Sequence, residues 1–210
     1  MALPTISSYP LPDTDALPPP RVLWRANRNR AALLIHDMQN YFLAPFQEDT
    51  SPIKPVIAHI DALLRQAHLL KIPVFYTAQK GDQDPRDRGL QRDFWGPGMS
   101  STTAHQNIHP TLTPHDTDFV LHKWRYSAFQ RSNLETLMRA RNRDQLIITG
   151  IYAHIGCLMT AAEAFQRDIE PFFVADAVAD FSREKHDLAI TYAADRCAVV
   201  TSTRRLLEDL

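Results

Sequence analysis

Glycine is scarce in this sequence: only six glycines occur in a chain of 210 residues. They are too scattered to form the glycine-rich loop that holds the phosphates of a nucleotide. The GxSxG, HExxH and CxxC patterns, which mark serine hydrolases, zinc proteases and redox or metal sites, do not occur either. We therefore expect no nucleotide cofactor and none of these three kinds of site.

The sequence also has few cysteines, a small net charge and no long apolar runs. The two cysteines, Cys157 and Cys197, cannot make a disulfide framework and lack the spacing of metal ligands. The formal net charge is −1, so no charge excess favours nucleic acid or an anionic membrane. The apolar runs are of strand length, well short of the roughly 20 residues of a membrane-spanning helix. The N-terminus lacks a secretion-signal pattern, and we expect a cytoplasmic protein without nucleic-acid or membrane partners.

Proline, by contrast, is concentrated near the N-terminus, where six of the 15 prolines fall within the first twenty residues. This composition predicts an extended arm over residues 1–28, which covers either its own domain or a partner subunit. A chain of this length, with 44% hydrophobic and 22% charged residues, fits one globular domain with a single core. We expect that domain over residues 29–210.

Short apolar runs without polar alternation recur along this predicted domain. Such runs are typical of strands that are buried on both faces, as in a parallel sheet. They occur at residues 31–35, 73–77, 119–121, 145–149, 172–175 and 198–201. Amphipathic or capped segments between them predict helices, and the alternation of strand and helix predicts a parallel α/β sheet covered on both faces.

Polar or glycine residues follow several of the predicted strands. Asp37 follows the first strand, Gln79 the second, Lys123 the third, and the segment 150–156 the fourth. Ligands of open parallel sheets bind outside the carboxyl ends of the strands, so these groups form a candidate site. The segment 81–116 is long and lacks periodicity, which predicts a functional loop or lid beside it.

Each of these residues also has a simpler interpretation. An Asp after a strand is often a turn residue or a helix cap, and a lone Lys is usually a solvated charge. His36, His122 and His154 are expected to pack or to hydrogen-bond rather than to act as ligands. Cys157 is expected to be a small buried hydrophobe.

Longer motifs decide between these interpretations. Five segments, at residues 31–39 (AALLIHDMQ), 93–98 (DFWGPG), 123–129 (KWRYSAF), 150–156 (GIYAHIG) and 174–182 (VADAVADFS), closely resemble isochorismatases. The resemblance covers nearly the whole chain. It implies a three-layer α/β/α fold around a six-stranded, mainly parallel sheet. It also implies hydrolysis of isochorismate to 2,3-dihydro-2,3-dihydroxybenzoate and pyruvate, without a metal or an organic cofactor.

The resemblance implies roles for individual residues. Asp37 is the implied general acid and Lys123 its partner, and the peptide bond between Ile151 and Tyr152 is implied to be cis. The implied substrate-binding residues are Gln79, Arg88, Tyr152, Gly156, Phe42 and Trp95, the last two as shields against water. Arg88 is preferred over Arg86, because Asp-Arg-Gly-Leu at 87–90 fits the family pattern better.

Physical chemistry supports the implied general acid. A vinyl ether is hydrolysed by protonation of its terminal methylene carbon, so the enzyme must supply a strong, well-placed acid. A free Asp has a pKa near ~3.9, and the surroundings of Asp37 must raise this value for it to carry a proton. Burial and the two substrate carboxylates act in that direction, whereas Lys123 opposes them. We therefore expect Lys123 to orient Asp37 and to stabilise its carboxylate after proton transfer.

Amidases of the wider superfamily, such as nicotinamidases, resemble this fold but use an Asp, a Lys and a nucleophilic Cys. Their Cys lies six residues after the glycine that ends the fourth strand, where this chain has Gly156. Cys157 comes one residue later, which turns a helical side chain by about 100°. The Asp-Trp-His segment that those amidases use for a metal is also missing after Thr77. Covalent amide chemistry is therefore disfavoured.

Two other functions remain open at this stage. Phenazine-pathway hydrolases, which remove pyruvate from 2-amino-2-deoxyisochorismate, resemble the chain in length, although its Ile-Gly-Cys and Phe-Gln-Arg-Asp-Ile stretches favour siderophore isochorismatases. A non-catalytic scaffold for biosynthetic partners is the other alternative. We expect a homodimer, and because the chain ends at Leu210 without a carrier domain, a separate aryl carrier protein is the expected partner.

Overall fold

The computed structural model describes residues 3–210, so the first two residues of the predicted arm lie outside the described part. Within it, six strands form one sheet in the order β3-β2-β1-β4-β5-β6, and every pair of neighbours is parallel. The strands are β1 (Ala31–His36), β2 (Val74–Ala78), β3 (Phe119–His122), β4 (Gln145–Ile151), β5 (Glu170–Ala179) and β6 (Val199–Thr201). The predicted fold class is confirmed.

The helices connect these strands. They are α1 (Asn40–Leu43), α2 (Ile53–Leu69), α3 (Pro85–Arg88), α4 (Gln91–Trp95), α5 (Thr103–Gln106), α6 (Leu134–Arg139), α7 (Leu158–Gln166), α8 (Arg183–Arg196) and α9 (Thr203–Asp209). A short 3-10 helix spans Pro110–Leu112, and a π-helical turn at Ala153–Cys157 leads directly into α7. Within residues 3–210, no helix is both long enough and apolar enough to cross a membrane.

Two apolar layers enclose the sheet. On one face, α2 and α9 pack against alternate side chains of the strands, such as Leu33, Ile147 and Phe172. On the other face, α6, α7 and α8 pack against the intervening ones, such as Leu34 and Ile148. Because both faces are covered, all six residues of β1 are buried. This double burial is why β1, β2, β4, β5 and β6 read as apolar runs in the sequence, whereas β3 at the edge of the sheet is partly exposed.

The sheet order reverses at its centre. β1 pairs with β2 on one side and with β4 on the other, so chain connections leave this point in opposite directions. A crevice opens at the carboxyl ends of two strands that diverge in this way. The residues that follow β1, β2, β3 and β4 therefore meet at one edge of the sheet.

The N-terminal segment packs against its own domain. Ile6 is buried, forms a bridge with Phe46 and donates its backbone N–H to the Pro45 carbonyl. Tyr9 is buried as well, and its hydroxyl lies 3.2 Å from Nδ1 of His186. Ile6 and Tyr9 are thus covered without a partner subunit, whereas Leu23 of the same arm is exposed.

Two predictions from the sequence differ substantially from the structure. The segment 81–116 contains α3, α4, α5 and the 3-10 helix, which are too short to show a periodicity in the sequence. β5 continues through Asp176 to Ala179, whereas the apolar run predicted its end at Ala175. Asp176 is tolerated inside the strand because its carboxylate accepts hydrogen bonds from the backbone N–H and the hydroxyl of Thr203.

Candidate active site

Asp37 begins the site where β1 ends. Its backbone has a φ of 50°, which turns the chain out of the strand, and its N–H donates to the carbonyl oxygen of Thr77. The Thr77 hydroxyl donates to Oδ1 of Asp37 at 2.7 Å. The carboxylate is therefore held by the neighbouring strand β2, with its second oxygen facing Lys123.

Lys123 follows β3 and is almost fully buried. Its Nζ lies 2.8 Å from Oδ2 of Asp37 and donates to the carbonyl oxygen of Arg125 at 2.9 Å. Burial alone would raise the pKa of Asp37, but the Lys123 ammonium and the Thr77 hydroxyl hold this pKa below its ordinary value. In the free protein the surroundings therefore disfavour the protonated form of Asp37. A bound anion would act in the opposite direction and raise this pKa.

The buried ring of His36 packs next to the Asp37–Lys123 pair. Its ring nitrogens lie 2.8 Å from the Ile151 carbonyl oxygen and 3.1 Å from that of Tyr126. The ring is 1% exposed, and burial lowers its pKa. It also occupies the space beside Gly156, where an added Cβ would collide with its Cε1 atom. This packing role agrees with the interpretation drawn from the sequence.

Gln79 follows β2 and reaches the same carboxylate. Its Nε2 lies 3.4 Å from Oδ2 of Asp37. Its backbone is fixed by the amide of Gln39, which accepts from the Gln79 N–H at 2.7 Å and donates to its carbonyl oxygen at 2.9 Å. Gln39 also donates to the carbonyl oxygen of Gln106, so one buried amide connects two walls of the site.

Arg88 lies on α3 and turns into the site. Its side chain is 6% exposed; Nε donates to the carbonyl oxygen of Gly96 and Nη1 to Oε1 of Gln83. Among residues 3–210, no carboxylate neutralises it, and burial lowers its pKa. Arg86, by contrast, is exposed and paired with Asp84. A buried guanidinium without an anion is suited to an anionic ligand.

Aromatic side chains form the remaining wall. Phe181 stacks on Tyr152 with ring centroids 4.1 Å apart, and Trp95 faces Phe181 at 6.2 Å. The Tyr152 hydroxyl donates to the carbonyl oxygen of Phe42 at 2.7 Å. The Trp95 indole donates to the hydroxyl of Tyr126 at 2.8 Å, which directs the Tyr126 O–H to other acceptors.

A network of buried hydrogen bonds around Asp180 holds this aromatic wall in place. The carboxylate of Asp180, which is fully buried, accepts from the backbone N–H groups of His154 and Phe181 and lies 2.7 Å from Nδ1 of His154. The Asp180 backbone N–H donates to the Tyr9 hydroxyl at 2.8 Å. The N-terminal segment is thereby tied to the residue that precedes Phe181.

These walls surround a cavity at the carboxyl ends of the strands. All eight site residues predicted from the sequence line it: Asp37, Phe42, Gln79, Arg88, Trp95, Lys123, Tyr152 and Gly156. Sequence reasoning missed further lining residues, among them Tyr41, Gln91, Tyr126 and Phe181. Tyr126 and Phe181 lie inside two of the motifs quoted above, whereas nothing in the sequence marked Gln91.

Gly156 lies in the first turn of the helical segment that starts at Ala153, beside the Ile151–Tyr152 peptide bond, which is cis as predicted. Backbone N–H groups in a first helical turn lack carbonyl partners within the helix and suit an anion. Its neighbour Cys157 is fully buried, and burial raises the pKa of the thiol well above its ordinary value. A thiol in that state is a poor nucleophile.

Known proteins match both the sequence and the fold. The profile of the isochorismatase domain matches residues 31–205. The chain is 55% identical to the isochorismatase of Bacillus subtilis (strain 168), over 100% of this chain and 67% of that protein. It is 49% identical to enterobactin synthase component B of Escherichia coli (strain K12), over 99% of this chain and 73% of that protein.

Two further matches concern a second pathway and the fold. The phenazine biosynthesis protein PhzD1 of Pseudomonas aeruginosa is 45% identical over 98% of this chain and 99% of its own length. The crystal structure of a cysteine hydrolase from Pseudomonas syringae pv. phaseolicola superimposes with a TM-score of 0.81 at 23% identity, covering 97% of this chain and 98% of that one. At that identity the superposition supports the fold alone.

Proposed function

The chain belongs to the isochorismatase family, and we propose that it hydrolyses the enolpyruvyl ether of isochorismate to 2,3-dihydro-2,3-dihydroxybenzoate and pyruvate. The observation that carries this proposal is the pairing, in one cavity, of a buried Asp37–Lys123 ion pair with the unneutralised cation of Arg88. The Asp37–Lys123 pair can transfer a proton, and the Arg88 guanidinium can bind the anionic substrate that accepts this proton.

Asp37 is the proposed general acid. It transfers a proton to the terminal methylene carbon of the enolpyruvyl group, and the ether oxygen stabilises the resulting oxocarbenium ion. Water adds to this cation, and the hemiketal collapses to pyruvate and the ring alcohol. Because no enzyme nucleophile takes part, a glycine at position 156 and a buried, protonated Cys157 are compatible with the reaction.

The proton on Asp37 must arrive with the substrate. Lys123 and Thr77 lower the pKa of Asp37 in the free protein, whereas a bound dicarboxylate would raise it by charge repulsion. We therefore propose that binding of the substrate dianion is coupled to uptake of one proton by Asp37. Lys123 then stabilises the carboxylate that remains after the transfer.

The substrate carries two carboxylates, and the proposed anion sites are two. Arg88 can hold one carboxylate through the two terminal nitrogens of its guanidinium. The backbone N–H of Gly156 can hold the other, with Tyr152 beside it. Because the Tyr152 hydroxyl donates to Phe42, it serves this carboxylate only if that hydrogen bond is exchanged. Phe42 and Trp95 would keep bulk water from the oxocarbenium ion.

The second candidate substrate is 2-amino-2-deoxyisochorismate, which the 45% identity to a phenazine biosynthesis protein supports. A non-catalytic scaffold is disfavoured, since it would have no use for a buried ion pair inside a cavity. The experiment is pyruvate release, followed with lactate dehydrogenase, from isochorismate, its amino analogue and nicotinamide in parallel. Release from isochorismate supports the proposal, and absence of pyruvate from both ring substrates refutes it.

The 49% identity to enterobactin synthase component B supports a place in siderophore biosynthesis and a role for an aryl carrier protein. We also propose that the chain forms a homodimer. Light scattering at micromolar concentration tests this proposal, since a mass near the 23.9 kDa of one chain would contradict it.

A further inference from the structure

Gln91, the first residue of α4, has an amide that the protein leaves without a hydrogen-bond partner. The residue lines the cavity together with Arg88 and Trp95, and it is 8% exposed. Its Oε1 atom is inaccessible to water and accepts no hydrogen bond. Within residues 3–210, two other buried side-chain atoms share this condition, on Tyr76 and Arg143, and neither residue lines the cavity.

An unpartnered amide oxygen is costly inside a protein. A buried polar group that makes no hydrogen bond destabilises the fold, so such groups are rare and call for an explanation. In a cavity wall the simplest explanation is a ligand that supplies the missing donor. Since a side-chain amide can turn about its last bond, Gln91 can present its oxygen to a ligand without any change of the backbone.

The other polar groups of the cavity are mainly donors. Lys123 and Arg88 are cations, and the Tyr126 hydroxyl already accepts from Trp95. The Asp37 carboxylate is an acceptor, but Thr77, Lys123 and Gln79 occupy it. Within residues 3–210, the Gln91 oxygen is the one buried acceptor of the cavity lining that receives no hydrogen bond.

Isochorismate has a polar group that matches this acceptor. Its two carboxylates and its ether oxygen accept hydrogen bonds, whereas its ring hydroxyl can donate one. We propose that Gln91 is a specificity-determining residue whose amide oxygen accepts a hydrogen bond from the ring hydroxyl. This inference rests on the proposed function, and it identifies which of the two candidate substrates the cavity favours.

A neutral amide discriminates between the hydroxyl and its amino replacement. The ammonium group of 2-amino-2-deoxyisochorismate needs more than one acceptor, and it would add a positive charge to a cavity in which the Arg88 guanidinium already lacks a carboxylate partner. A hydroxyl carries no charge and is satisfied by the single amide oxygen. The geometry therefore favours the hydroxyl-bearing substrate, and a carboxylate at position 91 would favour the amine.

The test measures kcat/KM for isochorismate and for its amino analogue in the wild type, Gln91→Met and Gln91→Glu. Gln91→Met keeps the length of the side chain, removes its hydrogen bonding, and should lower kcat/KM for isochorismate by about tenfold to a hundredfold. Gln91→Glu should shift the ratio of the two substrates by at least about tenfold towards the amine. Gln166→Met, the same change at an exposed position on α7, is the control.

A binding measurement accompanies the kinetics. Calorimetry with 2,3-dihydro-2,3-dihydroxybenzoate should show weaker binding to Gln91→Met than to the wild type, because this product keeps the hydroxyl. An unchanged substrate ratio in Gln91→Glu, together with unchanged isochorismate kinetics in Gln91→Met, would overturn the assignment while leaving the proposed function intact. A wild type that releases pyruvate from neither substrate would overturn the proposed function and this inference with it.

Discussion

The two sides of the cavity hold their side chains in different ways. On the sheet side, the partners of Asp37 and Lys123 come from adjoining strands and the turn after β3, and the hydrogen bonds are 2.7–2.9 Å long. On the loop side, Arg88 is held by Gly96 and Gln83, which belong to the same segment 81–116. The sheet side is therefore held by the sheet, whereas the Arg88 side chain is held within its own segment, which is joined to the rest of the domain through Trp95 and Gln106.

This difference suggests a division of labour. Proton transfer requires the acid to be placed within a fraction of an ångström, which a sheet edge provides. Selection of a substrate requires groups that can change without disturbing the core, which a surface segment provides. We expect substitutions on the sheet side to reduce mainly kcat and substitutions on the loop side to raise mainly KM.

The largest effect is expected for Asp37→Asn. The amide has the shape of the carboxylate but cannot protonate carbon, and a general acid contributes about 10²–10⁴-fold to a rate. kcat should fall by that factor, while equilibrium dialysis with isochorismate should still detect binding. Asp116→Asn, at an exposed position, is the control. If Asp37→Asn keeps more than about a tenth of the wild-type turnover, another group supplies the proton.

The pH dependence should show that the proton arrives with the substrate. The pKa of Asp37 lies below its ordinary value in the free protein, so the protonated fraction falls about tenfold per pH unit near neutrality. kcat/KM should fall with the same slope between pH 6 and pH 8. kcat should fall less steeply, since the bound dianion raises the pKa. A kcat/KM that is flat or rises over this range would contradict proton uptake by Asp37.

On the loop side, Arg88→Met should raise KM by about ten- to a hundredfold, because a charge-assisted hydrogen bond to a carboxylate contributes about 1.5–3 kcal/mol. kcat should change much less. Arg86→Met is a matched control two residues away, since Arg86 is exposed and paired with Asp84. A larger loss of kcat than of substrate affinity would show that the loop takes part in the chemical step.

Tyr9→Phe tests whether the N-terminal segment supports the aromatic wall. Losing the hydroxyl removes a hydrogen bond from the backbone of Asp180, next to Phe181, and one such bond contributes about 1 kcal/mol. We expect a rise in KM of about fivefold or less with kcat preserved. Ser8→Ala, which removes an exposed hydrogen bond to Ser51 from the same segment, should leave KM unchanged. Equal KM values in the wild type, Tyr9→Phe and Ser8→Ala would show that the N-terminal segment does not influence substrate binding.

The smallest effect on activity is expected for Cys157→Ser. The thiol is buried beside Thr149 and takes no part in the proposed reaction, so kcat and KM should stay within about twofold of the wild type. A buried hydroxyl is harder to satisfy than a thiol, and thermal unfolding should show a modest stability loss of about 1–3 kcal/mol. Loss of activity in both Cys157→Ser and Cys157→Ala would point to a catalytic thiol.

The sheet side could be predicted because burial leaves a mark on the sequence. A strand covered on both faces, such as β1, appears as an apolar run, and the polar residues His36 and Asp37 that follow this run mark the edge of the sheet. β5 shows the limit of this rule. Asp176 ends the apolar run in the sequence, but its pairing with Thr203 keeps it inside the strand.

The loop side could be predicted only where a family motif covers it. α3 and α4 have four and five residues, too few for a helical period, and contacts distant in sequence decide which side chains turn inward. Arg88 and Trp95 were found through motifs, whereas Gln91 lies between them without one. The net direction of the Asp37 pKa could not be predicted either. Burial raises this pKa and Lys123 lowers it, and which effect dominates depends on the 2.8 Å contact seen in the structure.

Which residues can occupy position 156 depends on the residue at position 36, because the His36 imidazole fills the space beside Gly156. Any side chain at 156 would collide with this ring, so even alanine is barred as long as the histidine stays. Losing the histidine first would leave a void beside Asp37 and remove its contacts with the carbonyl oxygens of Ile151 and Tyr126. Each single exchange is therefore harmful, although both together could be harmless. Positions 36 and 156 are therefore coupled, and a nucleophile at this point of the fold requires a change at both of them.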